Sequence, residues 1–481
     1  MPPYYSITYG PSSRHKVISL YTIRSNRRTG LLFISLLLLV ASGYAQESYS
    51  LQQCLNYAVQ HNSNVKKSSY DQEKAKQARK EVIGALMPQI SGSAALNDNV
   101  KKAKFIMPNF MNNMLPEKMR DPNASQYMTI EMGTQYSANA GVAVNQQILN
   151  MSLFNTLDIA KVSERMATLA ATSTEEDVIA QTATLYYGAQ VTQYAAEQMG
   201  HSVELMDKML RTMEASYSSG LIKKVDVDRL KVNLTNLKTQ QAAIESGLEV
   251  QKNLLKLQMG LEVTEPIVIA PLDLDLLAQQ EIAESGSATF DPVQHIAYQQ
   301  LQEREKMAQL QERSKRYDYI PTLSLAFNAQ YNYMSDKLFG GGNTQYSYPT
   351  AMLGLSLRVP IFSGLSRLSK VRESHMDLLK AQEDLRSLDQ SLRMAHLNAS
   401  LKLQDTQRTI SLQKENQTLA AQVFDLAQQN FTLGVASLSD VLNASQSLVQ
   451  AQMSYASALG DYIKAYIDLK KSKGEIRDLM Q

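Results

Sequence analysis

The chain has 481 residues, one fifth of them charged, and a net charge of only +2. That balance argues against a basic nucleic-acid binder and against an acidic tail. One cysteine and six histidines leave no intrachain disulfide and no Cys/His zinc spacing, so neither metal nor cofactor is expected.

Residues 1–45 read as a secretory signal. Arg24, Arg27 and Arg28 precede the apolar run Leu31 to Val40, and Gly43-Tyr44-Ala45 is small at both cleavage-determining positions. The run is shorter than the ~20 residues of a spanning helix. No later stretch reaches ~18 apolar residues, so no membrane helix is expected after Ala45, which leaves a β-barrel open. The stretch 50–86 reads as helix, broken near Asn62 and stopped by Pro88. Cys54 falls in its apolar pattern (Leu51, Cys54, Leu55, Ala58) and reads as a buried small hydrophobe.

Strand alternation follows over 89–99 and 133–149, a hairpin spanning 89–149. In its second strand Tyr136, Ala138, Ala140, Val142 and Val144 face one way, Ser137, Asn139, Gly141 and Asn145 the other. The stretch between, with Pro108, Pro116 and Pro122, reads as a loop. Its methionines (Met107, Met111, Met114, Met119, Met128, Met132) read as adaptable packing, since no His or Cys accompanies them. Residues 152–217 then run as helix without a proline, about 100 Å at 1.5 Å per residue; long helices continue to 260.

The order then repeats. Residues 261–290, with Pro266 and Pro271, read as a linker between a first repeat at 46–260 and a second at 291–474. The second repeat has a helix over 291–317 and a hairpin over 320–360. Its turn falls at Gly340-Gly341-Gly342-Asn343, and long helices fill 365–474 before a short tail at 475–481. Tyr217-Ser-Ser-Gly220-Leu-Ile-Lys-Lys-Val-Asp226-Val227 and Phe431-Thr-Leu-Gly434-Val-Ala-Ser-Leu-Ser-Asp440-Val441 stand 214 residues apart. A repeat of that length is half a chain, not a solenoid unit. The last helices share one 3-4 register: Val227, Leu230, Leu234, Leu237, Ile244, Leu248 and Leu255 against Val441, Ala444, Leu448, Ala451, Ala458, Tyr462 and Leu469. Sustained heptads indicate coiled-coil packing, and the many Ala and Gln positions suit helices laid side by side in a wall. The hairpins fit either a soluble sheet with one wet face or membrane strands. Four strands cannot close a barrel, and an open edge in lipid leaves backbone groups unpaired at several kcal/mol each, so membrane strands require further copies of the chain.

The two Gly…Asp…Val turns, the strand closing on Val359-Pro360-Ile361-Phe362-Ser363-Gly364 and the duplicated helix–hairpin–helix layout resemble the TolC family of outer membrane efflux proteins, over about 50–474. The resemblance implies an α+β membrane protein. It would be a homotrimer sharing a 12-stranded β-barrel, four strands per chain, continued by a long coiled-coil α-helical barrel in the periplasm. It implies a bacterial outer-membrane exit duct for tripartite efflux or type I secretion, and no enzyme. The partners would be outer-membrane lipid, a periplasmic adaptor and an inner-membrane pump of RND or ABC type, and not nucleic acid. It places the pore constriction at Asp440 with Asn443, Asp226 and Phe431, and the adaptor-docking tips at Gly220, Leu221, Gly434 and Val435. Asn443 is neutral where a second acid stands in the family pattern, and Ala436 replaces an arginine that holds the gate. Lys223 and Lys224 are therefore expected to hold the closed state. Bland roles coexist: Ser437 to Asp440 forms a capping box, and Gly220 and Gly434 are helix C-caps. A secreted or surface coiled-coil structural or adhesion protein is the competing reading; it explains the heptads but not two hairpins in equivalent positions.

Overall fold

The computed structural model describes residues 48–273, 290–338 and 345–480. The signal segment expected at 1–45, much of the linker and the loop at 340–343 lie outside the described residues. Residues Tyr49–Gln481 make up one compact unit.

Helix α1 (Leu51–His61) starts at a capping box. The Gln53 N–H donates to Ser50 Oγ at 3.3 Å and the Ser50 N–H to Gln53 Oε1 at 2.8 Å. Asn62 ends α1 and opens α2 (Ser63–Ala85), accepting the Asn64 N–H on its side chain at 2.7 Å. Its amide nitrogen also donates to the Gln258 carbonyl at 2.7 Å, tying this joint to the far end of another helix.

The strands β1 (Gln89–Asp98), β4 (Tyr136–Leu149), β5 (Thr322–Ser335) and β6 (Tyr346–Arg358) form one antiparallel sheet in the order β1-β4-β5-β6. Its register aligns the apolar face across all four strands, as in the row Ile90, Val144, Phe327, Leu353. The row below it on the ladder, Ser91, Ala143, Asn328, Met352, points to the other face, which also carries Asn139, Gln330 and Asn332. Nothing in the described chain covers the apolar face: Ile90 is 71% exposed, Leu353 69% and Leu355 67%. Gly141 is required, because a Cβ there would sit 2.6 Å from the Ala329 carbonyl oxygen.

The expected loop between β1 and β4 is instead an ordered arm. Strands β2 (Ala103–Pro108) and β3 (Tyr127–Met132) pair antiparallel around the short helix α3 (Phe110–Met114). Phe105 opposite Ile130 and Met107 opposite Met128 zip one face, and Lys104 meets Glu131 at 3.4 Å on the other. Gly133, at φ 89°, turns the chain into β4.

The remaining α-helices among the described residues are α4 (Met151–Ser218), α5 (Lys224–Met259), α6 (Ile296–Tyr317), α7 (Ser366–Thr432) and α8 (Leu438–Lys473). In the half next to the sheet the neighbours run α2, α4, α6, α7; in the far half they run α5, α4, α8, α7. Among the described helices only α4 and α7, of 68 and 67 residues, run through both. The far half has a deep core of Met199, Met206, Leu230, Phe424 and Val441. A belt at mid-height packs Cys54 and Ala58 of α1 against α4, α5 and the segment at Ile267 and Ile269, with Ile476 closing the other side. In the half next to the sheet the described core is thinner: Ala308, Leu378 and Ala381 cluster, with Val162 and Leu310 also buried. Burial pushes the Cys54 thiol up to about 12, so it is inert as well as hidden. Among the described residues no helix is long and apolar enough to cross a membrane.

Candidate functional site

The two turns singled out by the repeat lie at the far end of the helices. Each is the same C-terminal motif. After α4, Gly220 takes φ 74°; its N–H donates to the Tyr217 carbonyl at 2.9 Å, and the Leu221 N–H to Ser216 at 2.9 Å. After α7, Gly434 takes φ 77°; its N–H donates to Phe431 at 3.0 Å, and the Val435 N–H to Asn430 at 2.8 Å. The left-handed glycine lets two carbonyls find donors while the chain reverses. Leu221 and Val435, each 78% exposed, project from these tips.

The starts of the next helices differ. Ser437 caps α8. The Asp440 N–H donates to Ser437 Oγ at 3.3 Å, and the Asp440 carboxylate accepts the Ser437 N–H at 2.9 Å and its hydroxyl at 2.7 Å. These bonds hold the Asp440 carboxyl below the usual carboxylate range. In α5 the equivalent cap is Lys223, which makes no side-chain cap bond, leaving Asp226 in the first turn without its partner hydroxyl. Lys223 and Lys224 are exposed, and among the described residues neither is in an ion pair. Phe431 is half-buried and packs on the core that holds Phe424 and Val441.

Asp440 and Asn443 are both exposed and continue along α8 as a polar stripe through Ser447 and Gln450. A set of such stripes around an axis would be a wet wall with a carboxylate near its end. Among the described residues no group of three or more His, Cys, Asp or Glu could hold a metal ion.

A further set of side chains stands out only when the repeats are compared. Val225, Val232, Val250, Leu254 and Leu257 are exposed on α5. At the same positions α8 carries Ser439, Gln446, Lys464, Asp468 and Lys471, also exposed. The outer face is apolar in one copy and polar in the other. On α7, Met394, Leu397, Leu401, Leu412, Leu419 and Leu426 form a second exposed stripe at 3-4 spacing. The signal for both was present in the sequence, in the 214-residue offset and the helical period.

With this geometry in view, residues 296–475 match the outer membrane efflux protein family. The outer membrane protein TolC of Vibrio cholerae is 21% identical over 347 residues, covering 71% of this chain and 77% of that protein. The TolC of Escherichia coli is also 21% identical, with 71% and 70% covered. Among solved structures, the Campylobacter jejuni CmeC outer membrane channel superposes with a TM-score of 0.68 at 15% identity, covering 96% of this chain and 94% of that one. The outer membrane protein VceC of Vibrio cholerae gives 0.65 at 14%, covering 88% and 96%. At such identities the structural likeness speaks for the fold.

Proposed function

We propose that this chain is an outer membrane efflux protein, as the family match over residues 296–475 and the similarity to TolC proteins support, and that three copies build one exit duct through the outer membrane. The observation that carries this reading is the sheet. Its apolar face is uncovered, and both of its edges, β1 and β6, lack partners among the described residues. In water this arrangement would be an aggregation hazard; in lipid the apolar face is solvated, and the edges must pair with other copies. Three copies make a twelve-stranded barrel, polar inside.

The same closure suits the helices. The stripes on α5 and α7 lie on the two outer helices of the far half. Packing α5 of one copy on α7 of the next would bury both and form a continuous helical wall below the barrel. The duct would act in a tripartite efflux assembly, with the tips at Gly220, Leu221, Gly434 and Val435 meeting a periplasmic adaptor joined to an inner-membrane pump. A type I secretion transporter could use the same duct, since cargo is selected at the pump.

The polar stripe of α8 would then line the lower passage. Three Asp440 carboxylates near one axis attract cations and oppose one another's ionisation, whereas the Ser437 bonds favour the charged form. Asn443 adds no charge, so the ring is single. Phe431, packed inward, would support this ring from behind. Lys223 and Lys224 are available to pair with a neighbouring copy's carboxylate and hold the passage narrow. Replacing both by Ala is expected to raise single-channel conductance; unchanged conductance removes them from the gate.

The decisive experiment is planar-bilayer conductance of the purified protein, with its mass in detergent and with Asp440→Asn alongside. A trimer with a small cation-selective conductance, whose selectivity falls in the variant, supports both duct and ring. Equal selectivity in the two reduces Asp440 to a helix cap. A monomer without conductance returns the coiled-coil structural reading.

A further inference from the structure

The arm at residues 103–132 has no evident part in conduction, yet it is built rather than loose. At its root, Lys102 Nζ lies 2.7 Å from Asp336 Oδ1, and the same carboxylate oxygen accepts the Gln135 N–H at 3.0 Å. The Asn99 side chain donates to the Thr134 carbonyl at 2.9 Å. At its head, the Asn112 side chain donates to the Asp121 carbonyl at 3.1 Å and accepts the Asp121 N–H at 3.0 Å, and Arg120 Nε donates to the Leu115 carbonyl at 3.0 Å.

On this fixed frame the large apolar side chains point outward. Phe105, Ile106, Phe110, Met111, Met114 and Met119 are all exposed, Met114 to 82%. A collapsed loop would have hidden them. They lie on both faces of the arm, Phe105 on the side of Met107 and Ile106 on the side of Lys104, and nothing among the described residues covers them.

The arm's position indicates what covers it. It grows from β1, an edge strand paired only with β4. The opposite edge is β6, and the row Leu96, Ala138, Tyr333, Ser347 puts the arm's root and the start of β6 at the same rim. The exposed Tyr346 and Tyr348 stand at that start, on the sheet face that also carries Asn332 and Met352. Closing the sheet on another copy brings the free edge of β1 to the free edge of β6, and the arm over those tyrosines.

We propose that the arm is a clasp between copies of this chain, packing its apolar surface on the Tyr346–Tyr348 rim of the next protomer. The inference rests on the trimeric duct argued above.

The test compares the full-length protein with a form in which residues 103–132 are replaced by a short Gly-Ser linker, leaving β1 and β4 to pair. A milder form, Ile106→Ser with Met114→Ser, guards against misfolding of the deletion. Trimer dissociation is followed by mass in detergent as temperature rises. Met114→Cys is labelled with a maleimide and compared with Val435→Cys at the tip; buried Cys54 does not interfere. The clasp predicts dissociation at least 10 °C lower without the arm, a smaller drop for the serine form, and labelling at 114 at least tenfold slower than at 435. A wild-type trimer whose armless form is equally heat-stable overturns the clasp alone, and slow labelling with no loss of stability assigns the arm to lipid instead. A wild-type protein that is monomeric throughout overturns the duct and the clasp together.

Discussion

Helices α5 and α8 are equivalent in sequence register and equal in length at 36 residues, yet α8 buries eighteen side chains and α5 eight. The seam positions agree: Leu234 and Leu448 are both buried, as are Val227 and Val441. The difference lies on the other faces. Helix α8 is flanked by α4 and α7, whereas α5 has α4 on one side and nothing comparable on the other. Duplication copies the seam, but the ends of a row lack the neighbours of its middle. The outer residues have diverged to match, valine and leucine on α5 where α8 has Gln446, Lys464 and Asp468.

The strongest way to break this comparison is to charge the α5 stripe. Val232→Asp with Leu254→Asp is expected to reduce the trimer fraction at least tenfold by mass in detergent, with helical circular dichroism unchanged. The matched change on α8, Gln446→Asp, is expected to leave assembly intact. If both behave alike, the stripe is not an interface. At the seam the two helices should respond equally. Leu234→Ala and Leu448→Ala each leave a cavity among packed side chains and should each cost about 2–5 kcal/mol in the helical unfolding transition.

The helix starts offer a smaller and more pointed contrast. Ser437→Ala removes a working cap and should cost about 1 kcal/mol, read as roughly fivefold faster amide exchange over the first turn of α8. Lys223→Ser should do the reverse in α5, since Asp226 already stands three residues on to complete the box. The smallest effect is in pH. The Asp440 carboxyl is held low by the Ser437 hydroxyl. Its contribution is therefore present above the ordinary carboxylate value of about 4 and fades as pH falls through the lowered one. Amide protection at the start of α8 should decline on such acidification, and Ser437→Ala should blunt that decline.

Period and punctuation make much of this legible in the sequence. The seam of α8 follows its 3-4 spacing, and Gly220 and Gly434 mark turns because only a left-handed residue closes them so tightly. The arm is not legible. Its strands are six residues each, both faces carry apolar side chains, and Pro108 interrupts the run, so no alternation separates it from a loop. Resemblance assigns Phe431 to the constriction; its packing on the core that holds Phe424 is not legible either, because a half-buried aromatic at a helix end has no distinguishing period. The number of neighbours around α5 is invisible in its own heptads and emerges only beside α8.

The strand order also sets a schedule. β4 pairs with β5, and Tyr136 and Ser335, which face each other, are roughly 200 residues apart in the chain. The first hairpin must therefore wait, with one edge of β4 unpaired, until about seven tenths of the polypeptide has emerged. Helices α4 and α5 can form locally in the meantime, but the sheet is a late event of high contact order. A chain of this design depends on being kept from aggregating during that interval, and its rate of maturation should follow the arrival of β5 rather than the folding of any helix.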